Sequence, residues 1–247
     1  MREMKDSGIE WLGEIDKEFN VAPLKFFLEK GKDSIKTGPF GSQLSGSDFL
    51  SEPSDYWVYN QRSVIDNNFR DGLAFISQEK FESMIGFQVS SNDILITTRG
   101  TIGKINRIPE KFNKGIIHPC IIKFRINEEL INYKLLRYIF NESDFISRQI
   151  HYKSNATTID VIYSDTLKNI LIPICDLKRQ NIICTKLETI CLKVDTLIAN
   201  QQSQIEKLKS YKQSLITEVV TKGLNKNVPM KDSGVEWIGE IASTFSV

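Results

Sequence analysis

Four stretches carry side chains suited to contacting a polyanion. The first is Ser34-Ile35-Lys36-Thr37-Gly38-Pro39-Phe40-Gly41-Ser42-Gln43-Leu44-Ser45-Gly46-Ser47. Its three glycines let backbone N–H groups approach an anion, and Lys36, Thr37 and Ser42 add contacts of the kind made to phosphate. Phe40 looks exposed in so polar a setting, and no Gly-Lys-Ser/Thr closes the loop, so it is not a Walker loop. A plain surface turn has the same composition. The second stretch, Asn60-Gln61-Arg62, follows a strand-like Tyr56-Trp57-Val58-Tyr59. Asn, Gln and Arg hydrogen-bond adenine and guanine edges in pairs, and they are equally ordinary solvated loop residues.

The third stretch runs Thr98-Arg99-Gly100-Thr101-Ile102-Gly103-Lys104, between the apolar Ile94-Leu95-Ile96-Thr97 and Ile105-Asn106-Arg107-Ile108. That pattern predicts a hairpin presenting Arg99, Thr101 and Lys104 at its tip, with a functionless turn as the other reading. The fourth, His151-Tyr152-Lys153-Ser154-Asn155-Ala156-Thr157-Thr158, is polar with one aromatic and one lysine. Lys153 and Ser154 are its candidates for nucleic-acid contact. His118, set before Pro119, reads as a structural loop residue rather than a base.

These loops need elements to hold them. Strands are expected at 56–59, 94–98 and 105–108, with a further strand pair at 115–117 and 120–125. Helical spacing covers 133–140 and 143–150, with Asn132 and Ser143 as N-caps. Strands and helices are interspersed without strict alternation, which predicts a mixed α/β (α+β) domain over residues 16–176 rather than a doubly wound sheet.

After that domain, residues 177–222 contain neither proline nor glycine. Apolar residues fall at Ile183, Leu187, Ile190, Val194 and Leu197. After the polar Gln201-Gln202 they resume at Ile205, Leu208, Tyr211 (or Lys212), Leu215 and Val219. This is the seam of a helix that faces another helix. At ~1.5 Å per residue the helix spans roughly 65 Å, and it cannot bury its seam alone.

A repeat hints at the partner. Met4-Lys5-Asp6-Ser7-Gly8-Ile9-Glu10-Trp11-Leu12-Gly13-Glu14-Ile15 returns as Met230-Lys231-Asp232-Ser233-Gly234-Val235-Glu236-Trp237-Ile238-Gly239-Glu240-Ile241, and the register continues into Phe19/Phe245 and Val21/Val247. Two copies at one large spacing predict a whole unit followed by the opening of the next, half of a duplicated architecture. A docking motif shared by both ends would give the same recurrence. The expected layout is a lead-in at 1–15 that packs against the helix ends, the domain at 16–176, the long helix at 177–222, and a linker with a second lead-in at 223–247.

The chain has 247 residues and a formal net charge of +1, so any nucleic-acid surface must be local. No run approaches the ~18 apolar residues of a membrane span, and Met-Arg-Glu-Met-Lys-Asp lacks a signal core. Cys120, Cys175, Cys184 and Cys191 form no metal-type pair, and with His118 and His151 the only histidines a zinc site is not expected. Reduced thiols and a cytoplasmic location fit this composition. A methyltransferase would need a nucleotide-binding strand and glycine loop with an Asn/Asp-Pro-Pro-aromatic motif, and neither occurs. The single Glu-x-Lys, Glu3-Met4-Lys5, has no Asp before it, unlike a metal-dependent nuclease.

Together, residues 4–15, 36–42, 93–103, 157–174 and the long helix resemble the specificity (S) subunit of Type I restriction-modification enzymes, in the family's order and over essentially the whole chain. The resemblance implies a target recognition domain followed by a long helix that pairs antiparallel with a second helix. It implies no catalysis and no cofactor in this chain. S-adenosylmethionine, ATP and Mg would act on the modification and restriction subunits, which would be its partners alongside double-stranded DNA and a second copy of itself. Where family members often carry Pro-x-x-Trp after Gly-Glu-Ile, this chain has Asp16-Lys17-Glu18-Phe19. A half-length subunit that pairs as a homodimer through Ile183, Leu187, Ile190, Val194, Leu197, Ile205, Leu208, Leu215 and Val219 would recognise an interrupted palindrome. The competing reading is a coiled-coil scaffold or decoy that binds the modification subunit without specific DNA recognition.

Overall fold

The computed structural model describes residues 3–31, 33–72, 74–153, 161–225 and 227–244, with the side chains of 151–153 outside that description. In chain order its strands are β1 (Met4–Asp6), β2 (Glu14–Asp16), β3 (Asn20–Pro23), β4 (Ile35–Thr37), β5 (Tyr56–Tyr59), β6 (Phe75–Ile76), β7 (Ile94–Thr97), β8 (Ile105–Arg107), β9 (Gly115–Ile117), β10 (Ile121–Phe124), β11 (Leu171–Ile174), β12 (Met230–Asp232) and β13 (Glu240–Ala242). The α-helices are α1 (Gln61–Ile65), α2 (Gln78–Ser83), α3 (Tyr133–Arg137), α4 (Phe145–Lys153), α5 (Ser164–Lys168) and α6 (Leu177–Lys222). Two compact units, Met1–Thr185 and Lys186–Val247, divide the chain.

Unit one is layered. Its main sheet has the order β4-β10-β7-β8, antiparallel throughout, and a second sheet has the order β6-β5-β9. Side chains alternate across a strand, so Ile94, Ile96, Ile122 and Phe124 enter one core with α3, α4 and the root of α6. Leu95 and Ile121 enter another, shared with Trp57 and Tyr59 of β5. Val58, Ile76 and Ile116 face a third core under Phe81 of α2. Strands β7 and β10 are therefore covered on both faces, which is why Ile94-Leu95-Ile96 reads as an apolar run and β10 is apolar apart from Lys123.

One carboxylate anchors this layering. Asp93, buried just before β7, accepts from Ser90 N at 2.8 Å, Arg125 Nε at 2.5 Å and Lys123 Nζ at 3.4 Å. Lys123 also donates to the Gln88 carbonyl at 2.5 Å. The hydrogen bond from Arg125 to Asp93 raises the guanidinium pKa further above its ordinary value. A lysine in the middle of β10 is tolerated because Asp93 and Gln88 meet it inside.

The hairpin of β7 and β8 forms as expected, closed by Thr97 N to Lys104 O at 3.0 Å. Asn132 caps α3, accepting from Lys134 N at 2.7 Å, and Ser143 Oγ accepts from Phe145 N at 3.3 Å. The strands at 115–117 and 120–125 form but do not pair with each other. β9 joins β5 in parallel, while β10 lies between β7 and β4. The turn at His118-Pro119 carries the chain from one sheet to the next.

Strands β3 and β11 pair antiparallel where the chain enters and leaves the domain. The root of α6 is locked there by Gln180, which accepts from Asn132 N at 2.8 Å and donates to Leu130 O and Cys175 O. The lead-in hairpin β1–β2 meets the same region. Arg179 pairs with Asp16 at 3.1 Å and with Glu18, and Trp11 packs edge-on against Phe145 at 5.0 Å.

Helix α6 runs 46 residues through Gln201-Gln202 without a break. Ile183 packs on the core of unit one, whereas Ile190, Val194, Leu197, Ile205, Leu208, Leu215 and Val219 are exposed. In unit two, β12–β13 reproduces β1–β2 in register: Met4 faces Asp16 and Met230 faces Ala242. Both copies hold their glycines at positive φ, Gly8 and Gly13 matching Gly234 and Gly239. Trp237 is 85% exposed. Among the described residues no helix is long and apolar enough to cross a membrane.

Asp93→Ala should lower unfolding stability by about 3–5 kcal/mol, because it leaves Lys123 and Arg125 charged without their partner. Urea denaturation of unit one's transition checks this, and a loss under 1 kcal/mol would remove Asp93 as the anchor.

Candidate nucleic-acid interface

The ends of β4 and β7 lie side by side across β10, so the glycine loop after β4 and the hairpin tip after β7 emerge together. Between them is a cleft of about 420 Å³ lined by Lys36, Thr37, Gly38, Phe40, Gly41, Thr98, Arg99 and Tyr163, among others. Among the described residues its lining carries two cations and no carboxylate. Phe40 is 80% exposed and Tyr163 is 66% exposed. Exposed rings beside cations suit stacking on bases or contact with a groove.

The loop is held rigidly from below. Gly38 N donates to Ile121 O at 2.8 Å, and Leu44 is buried behind the loop. Phe40 N donates to Gln43 Oε1 at 3.0 Å, which closes a small turn around the exposed ring. Gly38 is required by space: a Cβ there would sit 2.2 Å from the carbonyl oxygen of His118. At Gly41 a Cβ meets nothing. Lys36 Nζ lies 5.2 Å above the Phe87 ring, and Thr37 Oγ1 bonds Ser164 Oγ.

Across the cleft, Thr98 is buried, with its N–H bonded to Cys120 O and its carbonyl accepting from Ile162 N at 2.9 Å. Thr98 therefore ties the cleft wall together rather than facing solvent. Arg99 is exposed and bridges to Val161 through its backbone. Gly100 turns the tip at φ 62°, and the Thr101 carbonyl accepts from Thr97 Oγ1 at 2.5 Å.

Not every expected residue gathers here. Ser42 and Thr101 are exposed but do not line the cleft. Lys104 Nζ is bonded to the Asn141 carbonyl. Asn60 caps α1, accepting from Ser63 N at 3.2 Å, and Arg62 pairs with Asp66 one turn on at 3.3 Å. The Gln61 amide oxygen is buried without a hydrogen-bond partner. Lys153 ends α4, but its side chain and all of Ser154 lie outside the described residues.

Sequence reasoning missed Tyr163. Its signal was local: Val161-Ile162-Tyr163 is apolar directly after a polar run, yet Tyr163 stays at the surface. A larger cleft of about 760 Å³ lies at the far end of the β7–β8 hairpin, with Arg107 and Arg137 in its wall. Those two arginines are engaged: Arg107 by Glu128 and the Tyr133 ring, Arg137 by Asn106 and Glu142.

His118 supports the cleft from beneath. Its Nδ1 accepts from Cys120 N at 3.1 Å, and burial lowers its pKa below 6.5. The neutral imidazole is the one that fits. The four cysteines are free, and among the described residues no cluster of His, Cys, Asp or Glu is suited to a metal.

A mixed α/β domain with loops gathered at one edge is followed in the chain by a long helix. Residues 46–207 match the family described as Type I restriction modification DNA specificity domain, and the chain belongs to that family. It is similar to the Type I restriction enzyme EcoBI specificity subunit of Escherichia coli, at 24% identity over 200 residues, which cover 81% of this chain and 40% of that protein. Its fold is similar to the HsdS subunit from Thermoanaerobacter tengcongensis (TM-score 0.54, 16% identity, 87% of this chain and 47% of that one). It is also similar to a chain from a structure described as the basis of complex assembly and conformational transition of the type I R-M system (TM-score 0.58, 18% identity, 85% and 47%). The chain thus spans less than half the length of each of these relatives.

Two outcomes are expected. Gly38→Ala should cost about 1–3 kcal/mol of stability by forcing the loop off the His118 carbonyl, while Gly41→Ala leaves the melting temperature unchanged; equal effects would mean the loop is not pinned at Gly38. His118 binds fewer protons folded than unfolded between its lowered pKa and 6.5, so stability is full above pH 6.5 and falls as pH drops below it. NMR titration of the imidazole should give a pKa below 6.5, and a value above 6.5 would contradict its burial as neutral.

Proposed function

We propose that this chain is a non-catalytic DNA sequence-recognition subunit of a type I restriction-modification system. In this reading residues 16–176 recognise one half-site, and 177–222 form the spacer helix that pairs antiparallel with a second copy. Residues 1–15 and 223–247 are the lead-in and the start of the second repeat. The observation that carries the reading is the cleft with Lys36, Arg99 and the exposed rings of Phe40 and Tyr163, on a chain of a DNA specificity family.

Phosphates are positioned by Lys36, Thr37 and the backbone of Gly41 and Ser42, with Gly38, its own N–H bonded to Ile121 O, shaping the loop beneath them and Lys104, Lys153 and Ser154 adding charge or hydroxyls at the rim. Lys104 joins only by exchanging its bond to Asn141 for a phosphate oxygen. Arg99 and Thr101 approach base edges and Phe40 contacts the groove floor, while Asn60, Gln61 and Arg62 join only by giving up the α1 cap, a buried amide and the Asp66 pair. Thr98 and Gly100 hold Arg99 at the tip.

Two identical domains related by a two-fold axis meet the same half-site in opposite orientation, so the target is an interrupted palindrome. Methylation and cleavage, with S-adenosylmethionine and ATP, belong to modification and restriction subunits that bind this chain in the cytoplasm. The exposed seam of α6 supports pairing, because seven of its apolar side chains lie in solvent in the single chain.

Selection from random duplexes by the purified chain should return an inverted repeat with one constant spacer. Single unpaired half-sites would sink the homodimeric reading, and no sequence preference would favour a scaffold or decoy. Arg99→Ala should cost about 1–3 kcal/mol of discrimination at one base pair. Lys36→Ala should weaken all sequences alike and reduce the salt slope of binding by about 1.

A further inference from the structure

The seam of α6 is palindromic in its spacing. Outward from Gln201, layers fall at Leu197, Val194, Ile190, Leu187 and Ile183 on one side. On the other they fall at Ile205, Leu208, Lys212, Leu215 and Val219. With Lys212 rather than Tyr211 as the layer between Leu208 and Leu215, the steps are four, three, four, three, four in both directions. A regular heptad seam runs three, four throughout; two successive steps of four at Gln201 are a stutter, which locally unwinds a coiled coil.

A stutter removes the freedom of register. An antiparallel pair of identical helices keeps both seams in phase only if stutter meets stutter. Then Leu197 faces Ile205 of the second copy, Val194 faces Leu208, Ile190 faces Lys212, Leu187 faces Leu215 and Ile183 faces Val219. A parallel pair in register also matches the stutters, but it stacks Lys212 on Lys212 in the seam. The antiparallel pair instead lays the apolar stem of Lys212 along Ile190.

Charge favours the same choice. Lys186 and Glu218 lie on the same edge of the seam, one residue before Leu187 and Val219, and both are exposed. Antiparallel pairing about Gln201 brings Lys186 of each chain to Glu218 of the other. Within one helix they are 32 residues apart, about 48 Å at 1.5 Å per residue, and cannot meet.

We propose that the two-fold axis of the homodimer passes through Gln201, whose two amides pair across it and fix the register of an antiparallel helix pair. This rests on the pairing proposed above and adds its geometry. Cys184, the last helix residue buried on its own domain, then lies about 50 Å along the axis from its symmetry mate. That distance sets the separation of the two recognition domains.

The test uses the full chain with Cys191→Ser as background. Leu187→Cys and Leu215→Cys chains, distinguished by a tag, are co-expressed, oxidised and resolved by mass, with light scattering on the same samples. A mixed 187–215 disulfide without a 187–187 disulfide supports the register. A dimer giving 187–187 disulfides, or none, overturns the register while leaving the pairing intact. A monomer overturns both. Independently, Lys186→Glu should weaken the dimer roughly three- to tenfold, and Lys186→Glu with Glu218→Lys should restore it. Failure of the double variant to recover, with the helix content unchanged, overturns the proposed contact.

Discussion

The layering of unit one hangs on the double-sided burial of β7 and β10. A strand covered on both faces has no solvated side on which to place a charge, yet β10 carries Lys123. Asp93 resolves the conflict by receiving Lys123, Arg125 and the Ser90 N–H inside. Because that carboxylate sits at the start of β7, it also fixes where the strand begins, and hence where the hairpin tip with Arg99 ends. The pinned strand transmits precision to the loop. Phosphate and base contacts need such rigidity, since a loosely held arginine loses in ordering entropy what it gains in contact.

The glycine loop follows the same logic from the neighbouring strand. β4 lies beside β10, Gly38 presses on the His118 carbonyl, and His118 in turn holds the Cys120 N–H. Loop, sheet-switching turn and hairpin tip are thus one mechanical unit, with Tyr163 delivered to its rim by the return of the chain toward β11. Apolar rings stand in solvent here because nothing in the unit needs them for its core. Their placement beside two cations is the feature that a polyanion surface would use.

The helix poses the opposite problem. The core of unit one is complete, but α6 leaves a long apolar seam in water, and the second lead-in hairpin presents Trp237 bare where the first packs Trp11 on Phe145. Both surfaces stay exposed in the single chain. A helix with such a seam is stable chiefly through tertiary contacts, and the proposed pairing would supply them.

Periodicity and punctuation in the sequence were enough for the long helix, the β7–β8 hairpin, the Asn132 cap and the repeated lead-in, because each is a local pattern whose physics is complete within a few residues. The same local reasoning brought Lys36, Thr37, Gly38, Phe40, Gly41 and Arg99 forward as candidates, since glycine, exposed aromatics and cations are legible one by one. What sequence alone determined, then, was the set of elements and the chemistry carried by their loops. Tertiary structure decided which of them meet. It sent β9 and β10 to different sheets, turned Asn60 into a helix cap, bonded Lys104 to Asn141, and brought Tyr163 to Phe40. These outcomes depend on contacts between residues far apart in the chain, where packing of whole layers outweighs any local preference.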